Sequence, residues 1–245
     1  MRRVSAASPL ACVACVACVA CALASACGGS NQEAKEPEPV VAAPREPERP
    51  KLAMVQELGS IDADQVQKVW SRLTGDFQAC RKSGQERVEY LHGDVKFFVR
   101  VGPDGGVKWT FLEDSNLGDL DTERCLLDVI KNTHWPKPEG GDAEVRNSIG
   151  FDPDGRPPAS WSSDKIAAVL GKNDKDLHKC KGREKATFHV TLYVAPHHKD
   201  GKVQAAGASA PSKDLAEKIE CIVNEVKGWK MPSPGSWGAK VEFRI

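Results

Sequence analysis

The sequence predicts an α+β protein with two small domains in tandem, each a three-stranded antiparallel sheet with two helices. Three observations lead there: a cysteine frame that occurs twice, alternating apolar runs joined by Asp-Gly turns, and helical apolar stripes that flank them. Cys80 and Cys125 are followed by Trp135, Pro136 and Pro138, and Cys180 and Cys221 by Trp229, Pro232 and Pro234. At an offset of 100, Val66, Val69, Trp70, Phe77 and Cys80 fall on Ile166, Val169, Leu170, Leu177 and Cys180. At an offset of 96, Asp104, Gly105, Val107, Cys125, Leu126, Ile130, Pro136, Pro138 and Val145 fall on Asp200, Gly201, Val203, Cys221, Ile222, Val226, Pro232, Pro234 and Val241. Ordered helix, turn, cysteine and Pro-x-Pro matches within one chain indicate duplication.

The first unit spans residues 61–152. Val66, Val69, Trp70, Leu73, Phe77 and Cys80 recur at three and four residues and mark the buried face of a helix. From Asp94 to Val101, Val95, Phe97, Val99 and Val101 face one way and Asp94, Lys96 and Arg100 the other, which is a half-buried strand. Gly102 to Gly106 supply a turn, and Val107, Trp109 and Phe111 return antiparallel. Asp119 caps a second helix whose Cys125, Leu126, Val129 and Ile130 point inward; Pro136 ends it, and Ala143 to Phe151 form the third strand.

Residues 153–161 read as a linker, and the second unit, 162–245, repeats the order with a shorter connection after Cys180 and a longer hairpin loop. Phe188, Val190, Leu192 and Val194 form its first strand, His197 to Gly201 the turn, and Lys202 to Ala206 the return. Ser212 is the expected cap of a helix striped by Leu215, Ile219, Ile222 and Val226, and Val241, Phe243 and Ile245 alternate in the last strand. Units of about 90 residues fold alone but marginally, which gives each a reason to carry a disulfide.

Residues 1–26 have the layout of an export signal: Arg2 and Arg3, an uncharged stretch, then Leu23, Ala24, Ser25 and Ala26 directly before Cys27. Small residues before a cysteine suit lipoprotein processing, in which the Cys27 thiol carries diacylglycerol with acyl chains such as palmitate. An uncleaved membrane anchor and cleavage to a soluble form are the alternatives. Residues 27–60 follow as the lipidated cysteine and a Pro- and Glu-rich tether without helical or strand period. Gly28 after Cys27, in place of an acidic residue, favours the outer membrane facing the periplasm.

Of nine cysteines, Cys12, Cys15, Cys18 and Cys21 leave with the signal and Cys27 is lipidated, so Cys80, Cys125, Cys180 and Cys221 remain. An even number in an oxidising compartment reads as disulfides. Three pairings exist; duplication favours Cys80 with Cys125 and Cys180 with Cys221, because a copied unit copies a bond contained within it. Four buried free thiols are the alternative.

The order of elements, the Asp-Gly turn and the aromatic and Pro-x-Pro segment before the last strand resemble the TonB-like energy-transducer C-terminal domain. The two framing cysteines make it most similar to the AgmX-type variant of envelope proteins. The resemblance covers Asp62 to Phe151 and Ser162 to Ile245. It implies a periplasmic partner-binding module that adds a partner strand to a sheet edge. A chain that reads as a lipoprotein with two such units departs from a motor-coupled transducer.

The expected function is therefore a non-enzymatic, lipid-anchored envelope protein that binds or scaffolds a periplasmic protein or peptidoglycan, docking at Ala143 to Phe151 or Ala239 to Ile245. No cofactor or metal is expected. The rival is a metal-binding or enzymatic lipoprotein using His178, His197 and His198, with Cys180, His189 and Asp200 nearby in sequence. No nucleophile elbow, zinc-protease, phosphate-loop or dinucleotide motif occurs. Net charge is zero, yet residues 61–154 carry 12 Lys and Arg against 18 Asp and Glu, and 155–245 carry 16 against 10. Opposite charge is a means for the units to dock on each other, or for the second to meet anionic envelope polymers. Nucleic acid is not an expected partner, because the compartment is wrong and aromatics do not interleave with the basic residues.

Overall fold

A computed structural model describes residues 58–245. The expected export signal, Cys27 and all but the last residues of the expected tether lie outside them. The first half runs α1 (Ala63–Gln85), β1 (Gly93–Val101), β2 (Val107–Ser115), α2 (Leu120–Lys131) and β3 (Ala143–Phe151). Asp62 starts α1 by accepting from the Gln65 amide, and Asp119 starts α2 by accepting from the Thr122 amide. The α1 residues Val69, Trp70, Leu73, Phe77 and Cys80 are buried as their spacing requires. They pack with Val95, Phe97, Val99 and Val101 of β1, and Trp70 meets Trp135 edge-on at 5.0 Å between ring centres. α2 ends at Lys131, before Pro136 and not at it.

β1 lies between β2 and β3, antiparallel to both. The face expected to be solvated is exposed at Asp94 and Lys96 but covered beyond them: Phe98 stacks on Trp109 and Phe111 at 4.8 and 5.1 Å, and the Arg146 guanidinium lies 4.3 Å above Phe98. Arg100 is buried there and pairs with Asp142 and Glu144.

The second half corrects the expectation of a three-stranded sheet. After β4 (Ala159–Trp161), a short 3-10 turn (Ser163–Ile166) and α3 (Ala167–Lys181) come β5 (His189–His197) and β6 (Asp200–Ser209). Then follow α4 (Lys213–Ala216), α5 (Ile219–Lys227), β7 (Lys230–Met231) and β8 (Ala239–Arg244). Its mixed sheet has five strands in the order β4-β8-β5-β6-β7, with β4 parallel to β8. The last residues of the expected linker thus form an edge strand. The β5–β6 turn is tight and not longer than its counterpart, since His197 pairs with Asp200 and leaves only His198 and Lys199 between them. Ser212 precedes α4 without a side-chain capping bond.

One local device occurs in both halves. A Cβ on Gly105 would collide with the Trp135 carbonyl, and one on Gly201 with the Pro232 carbonyl. The Asp-Gly turn is needed because the Pro-containing segment before the last strand crosses directly over it. The Trp135 amide donates to the Gly105 carbonyl, and Met231 pairs with Gly201.

The two halves lie in one compact unit with a seam between them. Val190, Leu192 and Val194 face α5 and the second core. The alternate residues form rungs Ser209–His189–Arg244, Gly207–Thr191–Glu242 and Ala205–Tyr193–Lys240, and this opposite face lies against the first half. Tyr193 and Ala205 join the first core, and Leu120 of α2 joins the second. Gly118, at φ +77°, has no room for a Cβ because Thr191 Cγ2 would be 2.7 Å away. Charged pairs across this seam run both ways: Arg124 of the acidic half pairs with Glu220 of the basic one, against the overall sign, and Asp114 lies against His189, with it.

Candidate functional site: an open sheet edge

β3 pairs along one side with β1 and, among the described residues, carries no strand along the other. It is nine residues long, so its free side presents a row of backbone donors and acceptors. Ala143, Val145 and Phe151 are buried toward the helices, whereas Arg146, Ser148 and Gly150 are exposed. Beside the strand, a groove of about 150 Å³ runs between β3 and α1. Its floor is Trp70, Phe77, Ile149 and Phe151, and its rim includes Ser71, Thr74 and Gln78. Side chains of an added strand alternate faces, so every second one would turn toward this groove.

The other edges differ. β8 is covered by β4 over Ala239–Val241, which removes half of that strand from the second expected docking edge. β6 is covered by β7 over Gly201 and Lys202, and β2 runs along the seam, where the Ser115 amide donates to Ser209 Oγ at 3.0 Å.

Both favoured cysteine pairs are present as disulfides. Cys80–Cys125 joins α1 to α2 with Cα atoms 5.7 Å apart, and Cys180–Cys221 joins α3 to α5 at 5.5 Å. Each ties two helices on one side of its sheet, so their place is structural. Cys27 lies outside the described residues.

The histidines of the rival reading fall apart. His178 is exposed on α3 with its Nδ1 2.8 Å from the Asp174 carbonyl oxygen. His197 and His198 stand edge to face at the tip of the β5–β6 hairpin, ring centres 4.5 Å apart. Cys180 is committed to its disulfide. Among the described residues no group of three or more His, Cys, Asp or Glu side chains is placed to hold a metal.

Sequence reasoning missed the polar residues of the seam. The Tyr193 hydroxyl donates to the His92 carbonyl at 2.9 Å and accepts from the His92 amide at 3.2 Å, serving one backbone residue as a neighbouring strand would. Lys240 Nζ donates to the same carbonyl. His189 stands between Asp114 and Glu242, and Glu123 is buried against Ser115. The visible signal was the run Ala205 to Ala210, in which small side chains on both faces of β6 let two layers approach.

Comparison with protein-family models, curated proteins and solved structures gives no match for this chain.

Proposed function

We propose that this chain is a non-enzymatic, lipid-anchored envelope protein that binds an extended segment of a periplasmic partner along β3. The observation that carries the reading is the contrast between edges: β3 is open over nine residues beside an apolar groove, while the short strands β4 and β7 cover half of β8 and one end of β6. The resemblance of each half to TonB-like, AgmX-type domains supports strand addition as the mode, and the lipoprotein layout around Cys27 supports the compartment. Main-chain bonds to β3 give affinity in this reading, and the groove selects the side chains that enter it. Exposed Arg146 and Ser148 keep the free edge from pairing indiscriminately.

Thr74→Trp tests it, because Thr74 is exposed on the groove rim and outside the core. Pull-down from envelope extracts should recover a protein with the wild-type chain and lose it with this variant, while melting temperature stays unchanged. Equal recovery by both, or no partner protein for either, refutes strand docking at β3. Mass spectrometry of the exported protein reads the lipid on Cys27 separately.

A further inference from the structure

The seam holds two titratable groups that edge docking does not use. Glu123 on α2 is 2 % exposed. Its Oε1 accepts from Ser115 Oγ at 2.7 Å, its Oε2 has no hydrogen-bond partner among the described residues, and a Cβ on Gly207 would sit 2.5–2.7 Å from the carboxylate. β6 therefore seals this side chain from water. Facing it are Asp119 of its own helix, held by Arg87, and Tyr193 of β5; Gly207 and Ala208 of β6 offer no charge. On α2, neighbouring Arg124 is paired with Glu220 of α5. An ionised Glu123 would hold an incompletely solvated charge near another carboxylate, and a proton relieves both. Burial is the largest cause that pushes its carboxyl up to about 7, against the hydrogen bond from the Ser115 hydroxyl.

His189 on β5 lies 2.8 Å from Asp114 of β2 through Nδ1 and 3.6 Å from Glu242 of β8 through Nε2. Glu113, Ser209 and Arg244 complete its surroundings, and Lys240 reaches Glu242 from the same strand at 3.5 Å. Glu242 and then Asp114 raise the imidazole above its ordinary value, against burial. Because Asp114 belongs to the first half and Glu242 to the second, the cation bridges the seam.

One group is an acid and the other a base, yet both protons act in the same sense. We propose that the seam is a latch tightened by acid and loosened by alkali: neutral Glu123 and cationic His189 hold the second sheet on the first half. Loss of both protons lets the faces part while each half keeps its own core and disulfide. Both groups have a higher proton affinity closed than open, so their contribution is complete below the open-state values and declines as pH rises through the closed-state ones. For Glu123 the window runs from its ordinary 4.5 to about 7, and for His189 it begins at 6.5.

Hydrogen exchange of the full chain at pH 5.5 and 8.5, corrected for intrinsic rates, tests the latch independently of whether β3 docks a partner. Protection of the seam amides of His92 and Ser115 is expected to fall about 30-fold from Glu123 alone, at tenfold per unit of pKa. Phe97 and Val99 amides, inside the first sheet, are expected to hold. Glu123→Gln removes that 30-fold factor and leaves only the fall due to His189. Unchanged seam protection overturns the proposal, and so does an equal fall at Phe97 and Val99, which would report global unfolding. Carboxyl carbon-13 titration of Glu123 reads the proton without any variant, and a midpoint near 4.5 also overturns it.

Discussion

Removing the two disulfides separates chain entropy from packing. Cys80–Cys125 spans 45 residues and Cys180–Cys221 spans 41, and the logarithmic dependence on loop length makes the entropic loss about 4 kcal/mol for either. Their surroundings differ. Cys80 is 4 % exposed and packs with the first core, whereas Cys180 is half-buried and Cys221 exposed. Cys80→Ala with Cys125→Ala therefore adds a core packing loss of about 1 kcal/mol, which Cys180→Ala with Cys221→Ala does not. At about 2–4 °C per kcal/mol for a chain of this size, the first pair should lower Tm by about 10–20 °C and the second by about 8–16 °C. Calorimetry of the two double variants reads these shifts. Timed dithiothreitol treatment with mass spectrometry adds the order of opening: the accessible Cys221 sulfur should be attacked first. A loss below about 3 °C for either pair, or earlier opening of Cys80–Cys125, refutes the assignment of structural weight and access.

Gly118→Ala puts a Cβ into Thr191 from a left-handed backbone and should cost about 2–4 kcal/mol by urea denaturation. Tyr193→Phe leaves the His92 amide without its hydroxyl partner and should cost about 1–3 kcal/mol in the same assay. Thermal stability against pH should peak on the acid side of neutrality. Asp142, held below its ordinary range by Lys108 and then Arg100, and Glu242, held down first by His189, contribute stability that is lost as pH falls through their depressed values. Glu123 contributes stability that is lost as pH rises from 4.5 to about 7, so a melting temperature that climbs steadily to pH 8 would contradict the balance.

How much of this was legible depended on whether the covering surface was local. The α1 stripe, the β1 alternation and the Asp119 cap are set by neighbours a few residues away, and each is found where its spacing put it. β4 and β7, at three and two residues, are too short to show a period; they exist because β8 and β6 offer edges to pair with. Thr191, Tyr193 and Lys240 are buried by the other half of the chain, and polar alternation alone reads such a face as solvated. For the candidate edge, β3 was legible as a strand, but its freedom was not. An open edge is a property of what fails to pair with it.

The duplicated frame therefore carries two different outer surfaces. Both halves keep the crossing over the Asp-Gly turn and a disulfide between helices, because these hold each core together. They diverge where the sheets end. The second half lays the short strands β4 and β7 along parts of β8 and β6 and gives its free face to the seam, where small residues on β6 allow close approach. The first half covers its outer face with the Phe98, Trp109 and Phe111 stack beneath Arg146, and leaves the outer side of β3 without a neighbouring strand among the described residues. Two open edges on one chain would invite pairing between copies. In the proposed reading, the short cover strands of the second sheet shift strand recognition toward β3.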